Sequence, residues 1–128
     1  MVKQEPTAYS WDDFAADGKA DWTGVRNYTA RNFLREMRKG DKVIFYHSVV
    51  GKEAVGIAKV TKESFPDPTD VKWDAVELTP FKKLKKAVTL AAMKENLALA
   101  NIYLIRQPRF SVMPLTKDEF EEIVAMSK

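Results

Sequence analysis

The sequence predicts an α+β domain in which a small, partly closed and mostly antiparallel β-barrel is flanked by helices. Three observations carry this expectation. Helix-like and strand-like segments follow one another in mixed order, without the regular alternation of a parallel sheet. Two segments, 28–39 and 117–127, repeat apolar residues at helical spacing, whereas 42–50, 54–64, 71–78 and 110–115 read as the barrel strands. Finally, 128 residues with 45% apolar content suffice for one domain with one packed core, and with no cysteine that core has no disulfide or thiolate metal site to lean on.

The elements follow in order. Ser10, with Asp13 three positions on, makes a helix N-cap, and Asp17-Gly18 ends that short helix. A loop then carries Asp21-Trp22-Thr23-Gly24-Val25-Arg26-Asn27. In the next segment Ala30, Phe33, Leu34 and Met37 share one helical face, Arg31, Arg35 and Arg38 share another, and Gly40 is the stop. Lys42 to Val50 is apolar and β-rich enough to be a largely buried strand. Gly51-Lys52 supplies a turn, and Ala54 to Thr61 is the antiparallel partner. Pro66-Asp67-Pro68-Thr69 reads as a turn and Val71 to Leu78 as a third strand. Thr89 caps a short helix, Leu90 to Glu95, with a further turn at Leu97 to Tyr103. Ser111-Val112-Met113-Pro114 is a short edge strand, because proline cannot donate to a central ladder. Thr116 with Glu119 is a capping box for the last helix, whose Phe120, Ile123 and Val124 face the core.

Charge is unevenly placed. The chain is only +3 overall, yet residues 26–42 carry +4 and residues 82–109 carry +6, set between acidic stretches. Two basic blocks suit a polyanion-binding face, and equally suit scattered solvated lysines. No run of 18 uncharged apolar residues and no signal-peptide pattern occurs, so the reading is an intracellular protein with no membrane partner, cytoplasmic, or nuclear in a eukaryote. One histidine, no cysteine, no paired His/acid metal spacing and no glycine-rich phosphate loop give catalysis little to work with. His47 points away from Ser48 on a strand, so a Ser–His dyad is geometrically poor. The expectation is a non-enzymatic module without metal or cofactor.

A series of motifs carries a resemblance. Lys3-Gln4-Glu5-Pro6 with Tyr9-Ser10, the run from Trp22 to Asn32, Phe45-Tyr46-His47-Ser48, Gly56-Ile57-Ala58, Pro66 to Thr69, and Arg106 to Pro114 together resemble the EVE-domain signature. The match covers nearly the whole chain in order. That family, which includes thymocyte nuclear protein and bacterial relatives, is PUA-like in fold and related to the YTH readers of methylated adenosine. The resemblance implies a nucleic-acid-binding module, DNA or RNA, that recognises a modified base in a partly aromatic pocket. The alternative is a general RNA-binding or small-molecule-binding PUA-like domain without that specificity. A pure protein-interaction domain is a third reading. Two departures stand out: the strand start before Lys3 is reduced to Met1-Val2, and the segment from Thr69 to Trp73 is short.

Within that frame the pocket candidates are Trp22, Asn27, Tyr46, Ser48 and Trp73. Trp22 lies in a loop where no period demands burial, so it is ligand-facing or a core plug. Asn27 offers a donor and an acceptor to a base edge, or caps the following helix. The strand period puts Tyr46 and Ser48 on one face, either lining the pocket or, for Tyr46, packed in the core. Trp73 is a second cage wall or a packed strand residue. Lys3 and Glu5 neighbour the pocket by resemblance alone. Arg31, Arg35 and Arg38 form a stripe that follows phosphates or is ordinary solvated surface, as do Lys82, Lys83, Lys85 and Lys86. Arg106 and Arg109 flank Pro108 in a loop, where a guanidinium grips phosphate or stacks.

Overall fold

Short-range chemistry sets the helix ends. In the computed structural model, which describes residues 1–128, both capping boxes form. Ser10 Oγ accepts the Asp13 N–H at 3.1 Å while Asp13 accepts the Ser10 N–H at 3.0 Å, which starts α1 (Trp11–Asp17). Gly18, at φ 77°, closes it. Thr116 and Glu119 do the same for α5 (Lys117–Met126). Between them lie α2 (Tyr28–Glu36), α3 (Leu90–Glu95), a 3₁₀ turn (Leu97–Leu99) and α4 (Tyr103–Arg106). Thr89 caps α3 as expected. α2 ends before Gly40, because the Arg38 and Lys39 N–H groups are taken by the Asp41 and Glu63 carboxylates instead of continuing the helix. No helix is long and apolar enough to cross a membrane.

Five strands make one sheet: β1 (Val2–Gln4), β2 (Ala20–Asp21), β3 (Lys42–His47), β4 (Glu53–Pro66) and β5 (Asp74–Thr89), in the order β1-β3-β4-β5-β2. Only β1 and β3 run parallel. β4 and β5 form a long hairpin of 14 and 16 residues, interrupted by four register shifts. Each shift adds local bend and twist, and together they curl the sheet into a half-barrel. The edges do not meet, so the barrel is open. The segment 110–115 is not the fourth barrel strand expected of it. It contributes one bridge, Val2 to Val112, against the free edge of β1, held by Lys3 N–H to the Ser111 carbonyl and Met113 N–H to the Met1 carbonyl, and Pro114 has no N–H to carry the ladder on. β1 itself is complete enough to pair along Val2, Lys3 and Gln4.

Side-chain alternation on β3 divides the core. Val43 and Phe45 enter a cluster under α1 and α2 with Trp11, Phe14, Trp22, Val25 and Leu34. Ile44 and Tyr46 enter the other, with Met93, Leu99, Ile102, Leu104, Met113 and Ile123 from the helices and connections of the C-terminal third. A sheet with an apolar layer on each face needs no closed barrel to bury its strands. Gly56 sits at the tightest point: an added Cβ would lie 2.4 Å from the Trp11 ring. Trp11 in turn packs edge-on against Phe14 and Phe45, each at 5.5 Å. Glycine is what lets the Trp11 ring of α1 lie against β4.

Candidate nucleic-acid-binding site

β1 and β2 are the two edge strands of the sheet, and a cleft of about 310 Å³ opens between them at the end of α1. It is lined by Gln4, Tyr9, Asp17, Lys19, Ala20, Asp21, Trp22 and Thr23. Each is placed by a local contact. Gln4 leaves β1 beside His47 of β3. The Glu5 carbonyl accepts the N–H groups of Ala8 and Tyr9, a turn that brings the Tyr9 ring over the cleft. Tyr9 donates its hydroxyl to Asp17 at 2.8 Å, and burial together with that carboxylate holds the phenol far above its usual pKa. β2 pairs Ala20 and Asp21 with Leu78 and Glu77, and the Trp22 N–H continues the ladder to the Val76 carbonyl at 2.7 Å. The result is an aromatic floor with carboxylates, an amide and a hydroxyl around it.

Trp22 is not the loosely held loop residue that its sequence setting suggests. Only 4% of it is exposed. Its ring meets Phe45 at 5.7 Å and Phe14 and Tyr9 at 6.5 Å, all edge-on. It belongs to the core and offers the cleft only an edge. The expected grouping of Trp22 with Tyr46 is corrected by the sheet between them: Tyr46 is buried in the opposite cluster, where its phenol is pushed up to about 12 by burial and the nearby Glu53 carboxylate. Ser48 is half-buried just past β3, with its N–H donated to the Gln4 carbonyl at 2.8 Å. Asn27 takes the capping role, its Oδ1 accepting the Ala30 N–H at 3.0 Å.

Trp73 makes no ring contact with Trp22. It stacks instead on Tyr28, with ring centroids 4.9 Å apart, and Tyr28 is 67% exposed. The Arg31 guanidinium lies 4.8 Å from the Tyr28 ring and 5.6 Å from Trp73, and Arg26 lies 5.7 Å from Trp73. This is an exposed aromatic–cation stack separate from the cleft. The arginine stripe is thereby broken up. Arg31 donates to the Lys72 carbonyl at 3.2 Å, and Arg35 pairs with Asp74 through Nε at 2.6 Å. Both arginines hold α2 against the start of β5, and only Arg38 of the three keeps its side chain free of an ion pair and a hydrogen bond. Arg106 is likewise engaged, with Ala100 and Asn101, while Arg109 is exposed and unpaired. Lys3 donates to the Pro108 carbonyl at 2.6 Å, and burial lowers its pKa. Glu5 is exposed at the end of β1, and Lys82, Lys83, Lys85 and Lys86 are exposed along β5.

One residue that the sequence marks only as part of a turn organises the region. Asp67 is fully buried. It accepts the Gly24 N–H at 2.9 Å, the Thr69 N–H at 2.7 Å, the Thr69 hydroxyl at 2.6 Å and the Arg26 guanidinium at 3.1 Å. Burial alone pushes its carboxyl up, but the Thr69, Gly24 and Arg26 donors outweigh that and hold it well below the usual carboxylate range. Asp67 thus ties the Trp22–Asn27 loop to the turn before Trp73. Gln4, Tyr9 and Thr23 stand within the family motifs but are not among the pocket candidates that the sequence suggests, and Lys19 lies outside every motif. Their signal is adjacency, since each neighbours a candidate residue or an element end without any period of its own.

A larger cleft, about 500 Å³, opens elsewhere, lined by Met1, Phe33, Met37, Met113, Leu115 and Phe120 among others. It is mainly apolar, lies between α2 and the start of α5, and shares no lining residue with the first cleft, so size alone does not mark the site.

Comparison with known proteins agrees with this architecture. The EVE domain family model matches residues 1–126. Human thymocyte nuclear protein 1 is 31% identical over 164 aligned positions that span all of this chain and 73% of the human protein. A crystal structure of that human protein in complex with 5-methylcytosine containing DNA superposes with a TM-score of 0.93 at 29% identity, covering 99% of this chain and 95% of that one. The NMR structure of Rpa0253 from Rhodopseudomonas palustris is 44% identical, with a TM-score of 0.95 over 99% of this chain and 90% of its own. A YTH domain of Zygosaccharomyces rouxii shares the fold, at a TM-score of 0.61 and 15% identity. With its curled sheet, its two faces of helices and its ordered motifs, this chain belongs to the EVE domain family.

Proposed function

We propose that the protein is a nucleic-acid-binding module that takes one modified base, extruded or unpaired, into the Gln4–Tyr9–Trp22–Thr23 cleft. The observation that carries this is the cleft's composition. The Tyr9 ring and the edge of Trp22 are its aromatic part, and Asp17, Asp21, Gln4 and Thr23 supply acceptors and donors around them. Carboxylates accept from an exocyclic amine, which cytosine and adenine carry and thymine lacks. A methyl group on such a base meets the Tyr9 ring and the edge of Trp22. Its burial is worth about 0.8 kcal/mol, or roughly fourfold in affinity. The human relative bound to DNA containing 5-methylcytosine supports the same ligand class here. Glu5 stands exposed next to Gln4, whereas the Lys3 amine is committed to the Pro108 carbonyl. Tyr28, stacked on Trp73, offers an exposed ring to a neighbouring base.

A binding role rather than catalysis fits the one histidine. His47 Nε2 accepts the Trp11 N–H at 3.0 Å, so the ring's acceptor nitrogen is engaged in holding α1. Burial lowers the His47 pKa, against the opposing pull of Glu53 and Asp12. A fluorescence titration tests the function. An oligonucleotide with one 5-methylcytosine is expected to bind several-fold more tightly than its cytosine counterpart, and thymine in that position more weakly than either. Equal affinity for all three refutes base reading.

Phosphate contacts come from cations that are free and near the cleft, above all Lys19 at its rim, with Arg109 and the β5 lysines further off. Lys19→Gln is expected to reduce the magnitude of the log affinity–log salt slope by about 0.7–0.9, as for one lost contact. Arg35→Gln is expected to leave that slope unchanged, because Arg35 is already paired with Asp74. The reverse pattern, read by affinity at several salt concentrations, would return the α2 stripe to the nucleic acid.

A further inference from the structure

The turn between β3 and β4 has a feature that stability does not explain. Val49 sits at φ 66°, a left-handed conformation that a β-branched side chain strongly disfavours. Lys52, at φ 46°, is similar. A strained residue of this kind persists where the surroundings hold it, and such strain tends to collect at functional sites. Here the holding contacts are Ser48 N–H to the Gln4 carbonyl, Val50 N–H to the Ser48 carbonyl and Leu90 N–H to the Lys52 carbonyl. The tip carries two adjacent apolar side chains into solvent, Val49 at 63% exposure and Val50 at 54%.

Its position connects it to the cleft. β1 and β3 run parallel, with Gln4 opposite His47, so both strands end at the same margin of the sheet. Gln4 there lines the cleft, and the turn departs one strand spacing away, about 4.8 Å. Lys52 adds a cation to the same tip.

We propose that the Val49–Val50 tip is a wedge that enters duplex DNA beside the extruded base, fills the space it vacates and stacks on the neighbouring pairs. The inference rests on the base-reading role of the cleft and adds the form of nucleic acid to it: a duplex from which the base is taken. Apolar side chains inserted between base steps offset the lost stacking, and a base in a duplex reaches a pocket only by leaving the stack. Holding the valines in one strained turn keeps both side chains outward. Lys52 takes a phosphate of the separated step.

Val49→Gly with Val50→Ser tests this without risk to the fold, since glycine accepts φ 66° without strain. The double variant is expected to be at least as resistant to urea as the parent. Its affinity for a single-stranded oligonucleotide bearing 5-methylcytosine is expected to be unchanged. Its affinity for the matching duplex is expected to fall at least tenfold, and 2-aminopurine placed next to the modified base is expected to lose its binding-induced fluorescence rise. Equal losses on single strand and duplex, or no loss on either, overturn the wedge. A parent protein that binds the single strand without regard to the base instead overturns the cleft assignment, which separates the two failures.

Discussion

Trp22→Ala is expected to lower the unfolding free energy by about 3–5 kcal/mol, the range for deleting a buried aromatic side chain. A single domain commonly has only about 5–15 kcal/mol in total, so this one substitution removes a large share. The reason is the ring's surroundings: Trp22 is 4% exposed and packs against Phe14 and Phe45, which themselves stack at 5.4 Å. Neither phenylalanine has room to collapse into the hole, because Trp11 packs edge-on against both. Urea denaturation measures the effect as a lower midpoint. Trp22→Phe keeps most of the packing, and its cost is expected to stay below half that of alanine while the cleft loses the indole edge. Comparable stability for the alanine variant and the parent contradicts the assignment of Trp22 to the core.

The second large effect is expected at Asp67. Replacing it by alanine leaves the Gly24 and Thr69 N–H groups and the Arg26 guanidinium without their acceptor, at a cost of about 2–4 kcal/mol. The loss spreads to function, because Asp67 is the link between the Trp22–Asn27 loop and the turn before Trp73. Asp67 also gives a pH signature. Its folded carboxyl titrates below the unfolded value of about 3.9, so its contribution is complete above that value and is lost as pH falls toward the folded one. The gap in stability between the parent and Asp67→Asn is therefore expected to be constant at neutral pH and to close on acidification below about pH 4. A gap that widens in acid would mean that the carboxyl is protonated in the folded state.

These two residues also mark where the sequence could be read and where it could not. Local chemistry was legible: Ser10 with Asp13, Thr116 with Glu119, Thr89 and Gly18 act within one helical turn, and each does what its spacing requires. The family motifs gave the fold, and the curled mostly antiparallel sheet follows. Trp22 and Asp67 answer to partners far along the chain. Phe45 and Gly24 become their neighbours only after the sheet has folded. β5 was seen only to Leu78, because Lys82-Lys83-Leu84-Lys85-Lys86 presents a single buried side chain, Leu84, and hides its strand character. The period of two on β3 separates Phe45 from Tyr46 into the two core layers, but a period does not say which face of the sheet holds the ligand. The arginines of α2 looked free because Asp74 and the Lys72 carbonyl lie on a different element.

The central claim is that a base enters the cleft between β1 and β2. Chemical-shift mapping with an oligonucleotide carrying one 5-methylcytosine tests it most directly. The predicted result is saturating shifts at the backbone amides of Gln4, Tyr9, Lys19 and Thr23 and at the Trp22 indole N–H, each weaker with unmodified cytosine. Shifts gathered instead at Met37, Met113 and Phe120 in the larger apolar cleft, with Gln4, Trp22 and Thr23 unmoved, would contradict it.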